Sequence, residues 1–255
     1  MIPKIIHYCW FGGNPEPEDV KKCINSWIKY MPEYKIIRWD ENNYDIHKCQ
    51  YMSDAYNEKK WAFVSDFCRL DVIYTHGGIY LDTDVEVLKS FNPLLQEKMF
   101  CGFESRDPIM FKKNKRIEES VAFGLGFGAE AGHPILAEMI QLYKTLNFYN
   151  TDGSLNLIAC PHYQTQILKK YNLIDNGKTQ RFDGGIAYSA EYFCPQSNVT
   201  NKMLYSLVNS YSIHHFTVSW ASSKDKKALV WKNRLHRFLP YWLASKIISA
   251  IFKMI

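Results

Sequence analysis

Apolar and polar residues alternate in blocks through the first 90 residues. KIIHYCWF (4–11) is an apolar run closed by Gly12, Gly13 and Asn14, which predicts a strand and then a loop. PEPEDVKKCINSWIKYMP (15–32) predicts a helix. Pro17 stands near its start, acids follow in the first turn, and Pro32 stops it. Val20, Ile24, Trp27 and Ile28 form its apolar stripe. YKIIRWD (34–40) reads as a second strand and residues 50–59 as a helix. WAFVSDFCRLDVIYTHGG (61–78) is a stronger helix, with Phe63, Phe67, Leu70 and Tyr74 as its stripe and Gly77 at its end. IYLDTDVEVL (79–88) reads as a third strand. Strands alternating with helices predict an α/β fold built on a parallel sheet with right-handed crossovers.

Beyond residue 90 the pattern is weaker. KMFCGFES (98–105) reads as a strand, residues 106–120 as a polar excursion, and VAFGLGFGAEAGHP (121–134) as a glycine-rich segment. Helices are predicted from Pro134 and over PHYQTQILKKYNLI (161–174), and a late strand and loop over YSIHHFTVSWASSK (211–224). No internal repeat or low-complexity linker is visible, so residues 1–223 are expected to form one catalytic-type domain, followed by a tail, 224–255.

Composition changes this picture in two places. Hydrophobic residues make up 47% and charged residues 22%, enough for a sizeable core. The seven cysteines are scattered and no pair has CxxC spacing, so a disulfide framework or a zinc site is not expected and a reducing cytosol fits better. The opening MIPKIIHYCWFGG has too short an apolar run for a signal peptide. The net charge of +5 is uneven: residues 224–255 carry eight Lys or Arg and one acid, so the body is near neutral. That balance argues against a nucleic-acid-binding body and singles out the tail.

The chemistry concentrates in two stretches. Aspartate is a poor strand residue, yet Asp82 and Asp84 stand at the carboxyl end of the third strand, where parallel α/β folds bind ligands. Residues i and i+2 of an extended chain face one side, so the two carboxylates repel unless a cation joins them. Hard divalent cations take oxygen ligands and leave positions open for phosphates. Upstream, SDFCR places Asp66 and Arg69 at i, i+3 on one helix face beside Ser65. That pair reads either as a solvated ion pair or as a grip for hydroxyl groups.

IPKIIHYCWFGG, WAFVSDFCRLDVIYTHGGIYLDTDV and IHHFTVSW together resemble glycosyltransferase family 32, and the same pattern is similar to the catalytic domains of the large clostridial glucosylating toxins. The resemblance covers residues 1 to about 95, with a second anchor at 213–220. It implies a GT-A-type, Rossmann-like nucleotide-sugar-binding fold with a mixed central sheet, a nucleotide-sugar donor, most simply a UDP-sugar, and Mn2+ or Mg2+ as cofactor. It implies that Trp10 stacks on the base, that Ser65, Asp66 and Arg69 line the donor site and that Tyr80 and Asp82 contact ribose and sugar. It also implies that Asp84 binds the metal, with Asp82 beside it, and that Ser219 and Trp220 reach the diphosphate. His214 or His215 completes the metal shell, with His215 preferred. Transfer is expected to retain the donor configuration. Residues that choose the sugar are expected within 100–165, with Glu130 and Gln164 as candidates.

Two other readings stand beside it. A haloacid-dehalogenase-like phosphatase also carries DxD at a strand end, with Asp82 as nucleophile and Asp84 as acid. That motif usually opens its fold, whereas here some 80 residues precede it. The other reading is a relic that binds carbohydrate or nucleotide without turnover. In the tail, LPYWLASKIISAIFKMI is too short to span a bilayer but sets Trp242, Leu243, Ile247, Ile248, Ile251 and Phe252 against a polar face. Behind a basic segment, this reads as a helix lying on an anionic membrane surface. A glycan or lipid-linked saccharide acceptor at the inner face of the cell membrane, as in bacterial capsular polysaccharide assembly, fits that placement.

Overall fold

The structure is a computed structural model that describes residues 1–105, 120–197 and 200–217. Most of the expected polar excursion, Ser219, Trp220 and the tail 224–255 lie outside the described residues. The chain runs β1 (Ile5–Cys9), α1 (Glu18–Tyr30), β2 (Lys35–Trp39), α2 (Gln50–Asn57), α3 (Trp61–His76), β3 (Gly78–Tyr80) and β4 (Val85–Val87). It continues through β5 (Met99–Gly102), β6 (Phe127–Ala129), α4 (Pro134–Thr145), α5 (Cys160–Lys169), β7 (Gln180–Phe182), β8 (Gly185–Tyr188), α6 (Ala190–Phe193) and β9 (Ser212–His214).

Seven strands form one sheet in the order β2-β1-β3-β6-β5-β8-β7. β1 pairs in parallel with β2 and β3, as the alternating first 90 residues predict. The sheet then turns mixed: β6 is antiparallel to both β3 and β5, β5 and β8 are parallel, and β7 is antiparallel to β8. The α/β class with a mixed sheet therefore holds.

The third strand is not continuous. β3 ends at Tyr80, the Val85 N–H donates to the Asp82 carbonyl (3.0 Å), and β4 pairs with β9 in a separate two-stranded sheet. The two aspartates thus sit in a turn between sheets rather than on a strand. The short strands β6, β7 and β8 escape the sequence pattern because three or four residues, several of them glycine, carry no readable period.

The sheet buries both faces. Along β3 the side chains alternate: Ile79 and Leu81 enter the core beneath α1 with Trp27 and Met31, and Tyr80 enters the opposite core with Phe67, Leu70 and Ile135. On α1 the buried residues are Val20, Cys23 and Trp27, and Ile28 is 52% exposed, so the stripe is rotated from the expected one. Tyr74 of α3 is likewise at the surface. Gly77 closes α3 at φ 64°, and a Cβ on Gly78 would lie 2.7 Å from the Ile5 carbonyl oxygen. Only glycine lets β3 leave α3 this tightly against β1.

Candidate active site

Asp66 and Arg69 do not lie on a solvated helix face. Both are buried, and Arg69 is 4% exposed. Arg69 Nη1 lies 3.1 Å from Asp66 Oδ1, Nη2 lies 3.0 Å from Asp82 Oδ1, and the guanidinium stacks over the Tyr80 ring at 4.9 Å. Tyr80 Oη donates to the same Asp82 oxygen at 3.0 Å. This follows from the pleat: Tyr80 and Asp82 are two residues apart and turn to one side. Arg69 Nη1 also donates to Cys160 Sγ at 3.4 Å, while its buried Nε–H has no partner among the described residues.

These contacts set the charges apart. Burial pushes the Asp82 carboxyl up, but Arg69, the nearby His214 and the Tyr80 hydrogen bond outweigh it and hold the pKa at about 2. At Asp66 burial wins over Arg69 and the Cys160 thiol, and the pKa rises to about 6.

The third ligand type comes from β9. His214 Nε2 lies 3.2 Å from Asp84 Oδ1 and 3.8 Å from Asp82 Oδ2. The β4–β9 ladder pairs Val85 with His214, which brings the late segment against the DxD turn. The Phe216 N–H donates to His214 Nδ1 (3.3 Å), leaving Nε2 to face the carboxylates. Asp84 is held by the Thr217 N–H at Oδ2 (2.9 Å) and by the His215 N–H at its carbonyl (3.0 Å). Burial opposes charge on His214, yet Asp84 and Asp82 raise its pKa above the usual histidine value.

One ligand atom each from Asp82, Asp84 and His214 falls within 4.8 Å of the others. Two carboxylates and an imidazole suit Mn2+ or another divalent ion of intermediate softness, which would have to displace the proton from His214 Nε2 to bind there. The preference for His215 is corrected: its Nε2 lies 2.8 Å from Glu86 Oε2, on the opposite side of β9 from His214.

The other expected residues separate. Ser65 is spent on its own helix, donating to the Trp61 carbonyl at 3.0 Å. Trp10 is half-buried at the end of β1, and its Nε1 donates to the Asn14 carbonyl at 2.6 Å. It does not line the open hollow of about 800 Å3 nearby, which is bounded by Gly12, Asn14, Glu41, Tyr56, Asn57 and Trp61. The sequence pattern does not single out Trp61, although Trp61, Ser65 and Arg69 recur every four residues along α3. Glu130 pairs with the Met1 amine rather than with this cluster. Gln164 is buried, and its Oε1 accepts from the Phe123 N–H at 3.0 Å. The next residue, Gly124, faces the site: a Cβ there would overlap Asp82 Oδ2, and its carbonyl accepts from the Asp82 N–H at 3.2 Å.

Residues 17–101 match the model of the glycosyltransferase sugar-binding region containing DXD motif, a span that holds Asp66, Arg69, Tyr80, Asp82 and Asp84 but not His214. Inositol phosphoceramide mannosyltransferase 3 of Schizosaccharomyces pombe is 28% identical over 148 residues, covering 55% of this chain and 36% of that protein. Inositol phosphoceramide mannosyltransferase 1 of the same yeast is 26% identical over 185 residues, covering 68% of this chain and 53% of that protein. The chain thus spans about half or less of the length of these curated relatives. Among solved structures, PaToxG glycosyltransferase is 19% identical with a TM-score of 0.48, covering 66% of this chain and 69% of that one. Residues 17–101 are thus similar to the sugar-binding region of DXD-containing glycosyltransferases, and the chain is similar to these mannosyltransferases over part of their length.

Proposed function

We propose that the chain transfers a hexose or N-acetylhexosamine from a nucleotide sugar, a UDP-sugar in the simplest case, to a glycan or lipid-linked acceptor. The observation that carries this is the Asp82–Asp84–His214 cluster, its ligand atoms within 4.8 Å, set beside a buried Arg69 whose Nε–H has no partner among the described residues. Asp82, Asp84 and His214 would hold Mn2+ or Mg2+, whose charge stabilises the departing diphosphate.

The chain's own groups divide the remaining work. Asp66, buried and bonded to Arg69, is placed to accept from sugar hydroxyls. Arg69 keeps its Nε–H to donate to one. Trp61 and the hollow beside Gly12 offer a face for the base. Trp61 and Arg69 are eight residues apart on α3, roughly 12 Å at the helical rise, a span suited to a nucleoside diphosphate sugar.

Every carboxylate here is engaged: Asp66 by Arg69, Asp82 by Arg69 and Tyr80, Asp84 by Thr217 and His214. That favours retention by front-face attack. The acceptor oxygen would bond to the anomeric carbon as the bond to the diphosphate breaks, and its proton would pass to the leaving phosphate oxygen. The same engagement of Asp82 disfavours a phosphatase that uses it as nucleophile. The names of both yeast relatives include inositol phosphoceramide, which supports a lipid-linked acceptor here. Together with the basic, apolar stretch at 224–255, this fits work at the inner face of a membrane, in surface-polysaccharide assembly. Among the described residues no helix is long and apolar enough to cross a membrane.

The test is a screen of UDP- and GDP-sugars for cleavage by the purified chain, with Mn2+ or with chelator. Mn2+-dependent cleavage of one donor, absent in Asp84→Asn, is expected. Absence of both cleavage and Mn2+-dependent nucleotide binding would overturn the reading. A β product from an α donor, read by NMR, would overturn retention.

A further inference from the structure

Helix α5 touches the site at two points. Gln164 and Thr165 accept from the Phe123 and Val121 N–H groups, at 3.0 and 2.9 Å, and so hold the segment that presses Gly124 against Asp82. One turn earlier, Cys160 Sγ accepts from Arg69 Nη1 at 3.4 Å. Cys160 also favours the charged form of the neighbouring Asp66 carboxylate. Of the seven cysteines six are buried, and Cys160 is the one that is only partly buried.

We infer that Cys160 is a positioning residue of the donor site: its sulfur accepts from the same Arg69 Nη1 that pairs with Asp66 and so fixes the guanidinium that would grip the sugar. The inference rests on the donor-site reading above. Arg69 divides its donors among Asp66, Asp82 and Cys160, and its Nε–H has no partner among the described residues. A guanidinium is a rigid planar fork, so anchoring Nη1 at two acceptors and Nη2 at a third fixes the direction of Nε–H. Asp66 is held by Arg69 Nη1 at 3.1 Å, which leaves acceptor capacity on its carboxylate for sugar hydroxyls. Burial raises the thiol's pKa, so the sulfur stays neutral and adds no third negative charge beside Asp66 and Asp82. The metal cluster on the far side of Asp82 does not touch Cys160. Loss of the thiol should therefore be felt by the sugar and not by the diphosphate.

The test uses the full chain as wild type, Cys160→Ser and Cys160→Ala, titrated in Mn2+ with UDP-glucose, GDP-mannose, UDP and GDP. Cys160→Ala is expected to bind the preferred sugar nucleotide about tenfold more weakly. Its affinity for the matching nucleoside diphosphate should not change. Cys160→Ser, which still donates and accepts, should recover most of the loss. Equal weakening for both ligands would mean a merely structural role and overturn the inference, as would unchanged binding by Cys160→Ala or a failure of Cys160→Ser to recover. If Cys160→Ala does not fold, Cys160→Val removes the same acceptor at similar volume and is read the same way. Wild type that binds neither sugar nucleotide overturns the donor-site reading itself, and the inference falls with it. Wild type that binds normally beside an unaffected Ala variant overturns the inference alone.

Discussion

His214 Nε2 lies 3.2 Å from Asp84 Oδ1, although one belongs to the last described strand and the other to the turn after the third. The contact makes His214 a ligand candidate and leaves His215 bonded to Glu86. His214→Ala should weaken Mn2+ binding by about 10- to 100-fold, on the order seen when a metal site loses one supporting group. His215→Ala should stay close to wild type. Titration with Mn2+ alone, followed by electron paramagnetic resonance of the free ion, separates them. Equal losses in both variants would remove His214 from the site.

Gly124 leaves no room for a side chain beside the Asp82 carboxylate, because a Cβ added there would overlap Oδ2. Gly124→Ala must push Asp82 off Arg69 and Tyr80 or shift the 121–125 segment. We expect a destabilisation of about 1 to 3 kcal/mol in thermal melts. Metal-dependent donor cleavage should be lost as well. A variant that keeps full activity would show that Asp82 tolerates another rotamer.

Asp66 gives the site a pH dependence. Its folded-state pKa of about 6 lies above the ordinary 3.8 because burial outweighs Arg69 and the Cys160 thiol. The protonated form therefore favours the fold, and that contribution is lost as pH rises through about 6. Asp66→Asn should be more stable than wild type at pH 8, by at most roughly 3 kcal/mol, with the gap narrowing below pH 6 and closing near pH 4. Donor cleavage by wild type should run the other way and fall as pH drops through about 6, since a protonated Asp66 loses acceptor capacity. A rate flat from pH 5 to 8 would take Asp66 out of the donor contacts.

Trp61 faces the hollow beside Gly12, where a Cβ on that glycine would lie 2.7 Å from the indole. If the base rests there, Trp61→Ala should raise the donor KM by about tenfold with kcat little changed, in line with the ~1 to 3 kcal/mol of a base stacked on an aromatic ring. Trp10→Ala is the comparison. A larger effect at Trp10 would return the base to the loop after β1.

The sequence by itself determined the alternation of β1, α1, β2 and α3, because each has a full period of apolar residues and a proline or glycine at its ends. It also marked Asp82 and Asp84 as a pair suited to a cation, and grouped Asp66 and Arg69 with them through the order of motifs that resembles glycosyltransferase family 32. Tertiary structure alone decided the rest. An i, i+3 Asp–Arg pair reads the same whether solvated or buried, and only the packing of α3 under β3, α4 and α5 makes it interior. Two adjacent histidines on a strand point opposite ways, and only the β4–β9 register selects His214. The glycine-rich segment at 121–128 has no periodicity, so neither β6 nor the press of Gly124 on Asp82 was legible. Cys160 becomes part of the site through the position of α5, in a contact with Arg69 that spans 91 positions of the chain. Local pattern records how a segment folds on itself, while the partners of a buried charge depend on residues that sequence order keeps apart.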